Sequence, residues 1–262
     1  MEIVEPEADC AIPFYSHPAH GQDRWVIQDV LRGLRGGYFV EGGASHLGEN
    51  TYTLETHFGW TGLLVEPHPG QFEELRTKRH CVLENVCLAD VETEVEFVLN
   101  YNAPGTSGVR EWLGGSILKM SYGADAVTET IRIKAQPLAE LLRKHGAPQR
   151  IDYLSLDVEG AEWLVLKDFP FDEYTFSCMT IERGSDDYLR LRAKLLNQGY
   201  RLVRIGSSDD FWVHPSVAYR APFRDVLNTT IRRMAQPITR SVRKLVRTGV
   251  ANRVGGSAAP PA

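Results

Sequence analysis

The sequence contains no apolar run approaching the ~20 residues that a membrane-spanning helix needs. Its first twenty residues carry Glu2, Glu5, Glu7 and Asp9, not the basic start and apolar stretch of a secretory signal. The chain is therefore expected to be cytoplasmic. It has four cysteines, Cys10, Cys81, Cys87 and Cys178, and none of them forms a C-x-x-C pair. A zinc knuckle or thiol redox centre has no support in that spacing. His17, His20, His46, His68 and His214 likewise show no metal-ligand spacing. The nucleophile elbow G-x-S-x-G is missing, since Leu47 stands where a glycine would have to follow Ser45. Tyr122, Tyr153 and Tyr188 lack the lysine of a Y-x-x-x-K reductase pair, and the chain leaves no room for a separate substrate domain. Asn100-Tyr-Asn-Ala-Pro104 is not the N-P-P-Y type of sequence used for amino-directed methylation of nucleic acids.

What remains is an ordinary globular composition, 43% hydrophobic and 24% charged over 262 residues. That length suits one sizeable α/β core. The net charge of −5 is unevenly placed. From Arg220 onward there are nine Lys/Arg against one Asp, leaving 20 basic and 33 acidic residues elsewhere. An acidic body argues against nucleic acid as the substrate. Residues 1–20 read as an N-terminal extension, 21–218 as the main domain, 219–254 as a basic amphipathic helical tail and 255–262 as disordered. In the tail, Phe223, Val226, Leu227, Ile231, Met234, Ile238, Val242 and Leu245 recur at steps of three and four. Pro237 should kink this stripe or start a second helix. Through 223–247 it could pack on the body or a second subunit, lie on an anionic membrane surface, or meet an acidic partner.

Helices are expected over 22–34, 50–57, 72–79, 137–145, from 161 and over 186–197, the last closed by Gly199. Strands are expected over 38–41, 62–66, 81–88, 94–100, 130–134, 151–156, 176–182, 200–205 and 211–214. Cys81 and Cys87, at an even spacing in one strand, should share a sheet face. The alternation predicts a mostly parallel sheet with helices on both faces, a doubly wound α/β fold closed by an antiparallel hairpin. Residues 102–123 read as a long Gly/Ser-rich loop, in which Trp112 could cover a cleft.

The sharpest motif is Tyr38-Phe-Val-Glu41-Gly42-Gly43-Ala44-Ser45-His46-Leu47-Gly48, a strand entering a glycine turn and then a helix. Glycine lets backbone approach a ligand closely. Glu66 ends the next strand, 25 residues after Glu41. An acid there accepts hydrogen bonds from ribose hydroxyls in doubly wound folds. Two carboxylates at successive strand ends suit S-adenosylmethionine, with Glu66 on the ribose and Glu41 near the methionine amino end. A pyrophosphate would prefer fewer acids, which sets NAD-dependent oxidoreduction behind. A non-catalytic nucleotide-binding domain stands as the other alternative.

Asp157-Val-Glu159-Gly160-Ala-Glu162 follows the strand 151–156, and Glu182 ends the next strand. These positions lie where open α/β sheets bind ligands. Asp157, Glu159 and Glu182 are the candidates for a general base on a substrate hydroxyl. Asp157 and Glu182 are also the candidates for a metal such as magnesium.

Together these motifs resemble the FkbM methyltransferase family. The resemblance rests on Gly21-Gln22-Asp23-Arg24-Trp25-Val26, Phe39 to Ala44, Gly62-Leu-Leu-Val-Glu66-Pro67-His-Pro, Asn85 with Ala89-Asp90, the 151–162 block and Gly199-Tyr200. It implies a Rossmann-like class I methyltransferase fold with a seven-stranded sheet. It also implies S-adenosylmethionine as donor and a hydroxyl of a sugar, polyketide or related small molecule or glycan as acceptor. Glu41, Gly42, Gly43, Gly48, Glu66, Asn85 and Asp157 would serve the cofactor. Glu41 stands where the family mostly has Asp, and Gly42 where it has an apolar residue.

Overall fold

The computed structural model describes residues 12–16, 20–113, 127–183 and 187–220. The basic tail, the C-terminal segment and most of the N-terminal extension lie outside the described residues.

The central sheet has seven strands in the order β10-β11-β9-β8-β1-β2-β3. They are β1 (Tyr38–Gly42), β2 (Thr61–Val65), β3 (Val82–Glu84), β8 (Arg150–Leu156), β9 (Thr175–Glu182), β10 (Arg201–Ile205) and β11 (Asp209–Val213). β1, β2, β3, β8 and β9 pair in parallel. β11 runs antiparallel to both β9 and β10. The closing hairpin is therefore present, but β11 is inserted between β9 and β10, and β10 forms the edge.

Strand residues alternate between two cores, as a pleated strand buried on both faces must. Val40, Leu63, Leu154, Met179 and Trp212 enter one core. Their neighbours Phe39, Leu64, Tyr153, Cys178 and Phe211 enter the other. α4 (Leu138–Lys144), α5 (Glu162–Lys167) and α6 (Tyr188–Asn197) contribute to the first core. α1 (Gln22–Arg24), α2 (Glu49–Phe58) and α3 (Pro69–Lys78) cover the second face. Truncating a fully buried residue such as Leu63 to alanine should cost about 2–5 kcal/mol.

Four expectations change. The first helix is short and continues as a π turn, Trp25–Val30, whose apolar side chains are buried against Phe211 and Tyr219. The predicted strand 81–88 is two strands. β3 joins the central sheet, and β4 (Cys87–Ala89) pairs with β7 (Thr128–Pro137) in a second sheet. Cys81 and Cys87 consequently lie in different cores. The break falls at Asn85, whose amide turns back to the carbonyls of Glu66 and Pro67 at 2.8 and 3.1 Å. The second sheet, in the order β4-β7-β5-β6, was not anticipated. Its β5 (Thr93–Asn100) pairs along eight residues with β7, and β6 (Gly108–Val109) extends it.

Helix ends follow local chemistry. Gly199, at φ 84°, turns the chain after α6, so its N–H reaches Leu196 O and that of Tyr200 reaches Leu195 O. His68 caps α3 by accepting from the N–H groups of Gly70 and Gln71. Asp23, fully buried, accepts from the backbone of Tyr15 and Ser16 and from Thr53 Oγ1, which ties the incoming chain to α2.

Candidate active site

The glycine turn after β1 brings three strand ends together. Gly43 and Ala44 donate to Val65 O of β2 at 2.9 and 3.2 Å, while Gly42 O accepts from Asp157 N at 3.1 Å. Gly43 has φ 77°, and a Cβ there would lie 1.7 Å from Asp157 O. Only glycine permits that approach. Gly42 is packed beneath Leu88 of the second sheet. Gly48 begins α2 in a left-handed conformation, with Arg79 Nη1 where a Cβ would be. Of these three glycines, only Gly43 borders the cavity described below.

Glu41 faces away from that cavity. Its carboxylate accepts Thr51 Oγ1 at 2.6 Å and the Asn50 N–H at the start of α2. Burial pushes its pKa up to about 7, against the pull of the neighbouring Arg79 guanidinium. Arg79 itself donates to Leu47 O, Gly48 O and Thr51 Oγ1, and pairs with Glu55. Glu41 and Arg79 thus hold the glycine loop from behind. Asn85 does the same for the turn after β2. Glu41, Gly42, Gly48 and Asn85, expected at the cofactor, stand behind the cavity wall and shape it, whereas Gly43, Glu66 and Asp157 line it.

Glu66 is in the wall. One oxygen accepts Ser45 N at 2.6 Å and the other accepts His68 N at 2.7 Å. Burial raises its pKa to about 7. A carboxylate has about four lone-pair sites, so each oxygen keeps one for a ligand hydroxyl.

Asp157 and Glu159 line the same cavity. Glu159 adopts φ 53°, which turns the chain between them and lets both face one side. Burial, with the charges of Asp157 and Glu162, raises Glu159 to about 8. Glu162 is an N-terminal residue of α5 whose Oε1 accepts the N–H groups of Val158 and Gly160, so it fastens the turn. Glu182 lies outside the wall but within hydrogen-bonding reach of Asp157. Burial and the charges of Asp157, Glu159 and Glu162 push Glu182 up to about 11, and the surrounding protein raises Asp157 as well, although its side chain stays exposed to the cavity. Both shifts run in the same direction, so the pair as a whole holds on to protons more tightly than two free carboxyls would. A buried Glu182 oxygen, Oε2, has no donor partner among the described residues.

The cavity encloses about 790 Å³, part of it open to solvent. Its floor is Gly43, Val65, Glu66 and Asp157 from the central sheet. Its cover is the second sheet, through Cys87, Leu88, Phe97 and Val109, with Trp112 at the side. Trp112 therefore lies on the cleft, while 114–126 of the predicted loop is outside the described residues. Three carboxylates line the cavity, and no Lys, Arg or His does among the described residues. Among the described residues no three His, Cys, Asp or Glu side chains converge.

Sequence reasoning missed His20 and Asp209. His20 Nδ1 lies 3.1 Å from Asp209 Oδ2, and Gln22 Nε2 donates to the same oxygen at 2.8 Å. Their separation of 189 residues hides that pairing from any local pattern.

The central sheet is Rossmann-like and carries a glycine turn and acids at successive strand ends. The FkbM methyltransferase domain matches residues 41–202, and the chain belongs to that family. No curated protein matches. Among solved structures, "Human methyltransferase 10 domain containing protein" is similar at 15% identity, covering 73% of this chain and 78% of that one, with a TM-score of 0.36. The "delta-N METTL16 MTase domain" is 13% identical with the same coverages and TM-score. A structure described as hMettl16 catalytic domain in complex with MAT2A 3'UTR hairpin 6 is 12% identical, with coverages of 80% and 77% and a TM-score of 0.34.

Proposed function

We propose that the protein is an S-adenosylmethionine-dependent O-methyltransferase acting on a hydroxyl of a sugar, polyketide or related metabolite. The observation that carries this reading is a single cavity that joins Gly43, Glu66, Asp157 and Glu159 and has no basic residue in its described wall. Val65, Val86, Leu88 and Phe97 offer an apolar strip for a purine. Glu66 has lone pairs free for ribose hydroxyls, and Asp157 and Glu159 suit a cationic ligand. A dinucleotide fits poorly, since like charges 4 Å apart cost about 4 kcal/mol near a protein surface.

The cofactor supplies an activated methyl group on a sulfonium. The chain's own task is to bind, to exclude water and to take a proton. The second sheet covers one side of the cleft and so limits the water that reaches it. Asp157, in the cavity wall beside Glu182, is the acceptor for the hydroxyl proton of the substrate.

Calorimetry with S-adenosylhomocysteine tests the cofactor half of this reading. Heat of binding is expected for the full chain and none with NAD; the reverse result would sink the assignment. Methyl transfer from labelled donor into a metabolite extract tests the catalytic half. Failure to label any fraction, with binding intact, would favour a non-catalytic binding domain.

A further inference from the structure

The Asp157–Glu182 pair does not end at Glu182. Strand register continues it. Leu156 pairs with Ile181 in the parallel ladder, which sets Asp157 beside Glu182 at the next position. Glu182 in turn pairs directly with Asp209 of β11. Residues opposite one another in a ladder point to the same sheet face. Asp157, Glu182 and Asp209 therefore form one lateral row along the carboxyl edge of three adjacent strands. Neighbouring positions are about 5 Å apart, a gap that carboxyls close directly or through one water.

The outer end of the row is His20. Its Nδ1 lies 3.1 Å from Asp209 Oδ2 and 3.0 Å from Ser208 Oγ, and its Nε2 lies 3.4 Å from Ser207 Oγ. The His20 side chain is 25% exposed, against 7% for Asp209. The site is built from several elements. Arg183 holds the turn before β11 through the carbonyls of Gly206, Ser207 and Ser208. Arg204 of β10 donates to His20 O, and Gln22 of α1 shares Asp209 Oδ2 with the histidine. The charged groups facing the row are Asp157 and Glu159 on the cavity side, Glu162 from α5, and Asp209 and His20 outward. Asp210, the next residue, is occupied by Arg183, Arg192 and Tyr188. Both His20 and Asp209 fall outside the matched segment 41–202.

We propose that His20, oriented by Asp209, is the solvent end of a proton path that runs from the cavity through Asp157 and Glu182. This rests on the methyltransferase reading above. Each transfer releases one proton. The acceptor oxygen forms its bond to the methyl carbon, the carbon–sulfur bond breaks, and its electron pair stays on sulfur. The hydroxyl proton passes to Asp157 and on along the row through Glu182 and Asp209 to His20. His20 delivers it to water, which returns the row to its starting state. His20 is thus a positioning and relay residue, since it does not line the cavity. The arrangement gives the proton an exit through the protein besides the cavity mouth.

The test uses the full-length chain, S-adenosylhomocysteine calorimetry, and labelled methyl transfer into a metabolite extract between pH 6 and 9. His20→Ala should transfer roughly ten-fold or more slowly at neutral pH, at the lower end of general acid–base effects. Its affinity for S-adenosylhomocysteine should stay within about two-fold of wild type, and added imidazole should restore the rate in proportion to its free-base form. Asp209→Asn should slow transfer in the same direction, and the double variant should be no slower than His20→Ala alone. His20→Asn provides a second variant should the alanine form unfold. Wild-type transfer by the His20 variants, or a loss that imidazole leaves untouched, overturns the relay. If instead the wild-type chain neither binds S-adenosylhomocysteine nor transfers label, the methyltransferase reading falls and takes this inference with it.

Discussion

Glu41 and Glu66, at the ends of β1 and β2, differ from Asp157, Glu159 and Glu182 in what their oxygens touch. The first two are engaged by the protein itself, through Thr51 and Asn50 for Glu41 and the N–H groups of Ser45 and His68 for Glu66. They set the shape of the glycine loop. The second group, around β8 and β9, receives far less. Glu182 Oε2 has no donor partner among the described residues, and Asp157 and Glu159 turn into the cavity. Burying a carboxyl without donors is costly. A fold keeps such groups where chemistry uses them. One half of the carboxyl edge is therefore satisfied by the protein itself, and the other half is left open to the cavity; on the proposed function the second half is the reactive one.

The largest effect expected from this contrast is on turnover. Asp157→Asn should lower methyl transfer by about 10²–10⁴-fold, with S-adenosylhomocysteine affinity changed only a few-fold. If the variant instead lost binding and kept its rate when saturated, the two halves would have to exchange roles. Gly43→Ala addresses the meeting point of the halves. Its Cβ would fall 1.7 Å from Asp157 O at a φ of 77°. Strain and overpacking together should cost roughly 2–5 kcal/mol, read as a lower denaturation midpoint with loss of ligand binding. A normally stable Gly43→Ala protein would show that the turn has more room than this packing allows. Glu66→Ala comes next. It leaves the N–H groups of Ser45 and His68 unpaired, at about 1–3 kcal/mol each, and should weaken S-adenosylhomocysteine about ten-fold or more in calorimetry. Unchanged binding would remove Glu66 from the ligand-contacting half.

Much of the fold was legible because its signals are local. The strands of the central sheet read out of apolar runs stopped by Gly, Pro or acid, and Gly199 marked a helix end by its own backbone preference. The second sheet was not legible. Its strands alternate charge with apolar residues, as Thr93–Asn100 does, and nothing in that pattern says which sheet they join. The split of 81–88 depended on one side chain, Asn85, reaching back to the Glu66 and Pro67 carbonyls. In the site, Glu66, Asp157 and Glu159 were visible as acids after strands. Glu41 carried the same signal, yet its side chain emerges on the opposite side, toward α2. A pattern of residue types fixes which strand end an acid occupies, not which face it takes. The pairing of His20 with Asp209 depends on chain ends brought together only by folding.

The smallest effect is on stability against pH, and it reads the reactive half directly. A buried acid whose pKa rises on folding keeps its proton in the folded chain where the unfolded chain has lost it. For Glu159 that window runs from its ordinary 4.5 up to about 8. Across it the folded state binds more protons, so stability falls as pH rises. Urea denaturation should therefore find the protein less stable at pH 8 than at pH 5.5. Glu159→Gln removes the titrating group while preserving size, and should flatten that part of the curve by about 1–2 kcal/mol after allowance for its partial exposure. Glu182, raised to about 11, should leave a residual decline above pH 8 in the same variant. If Glu159→Gln leaves the slope unaltered, Glu159 is paired or solvated in solution. The decline over this range would then come from Glu41, Glu66 and Glu162, each raised to about 7, and the reactive half would shrink to Asp157 and Glu182.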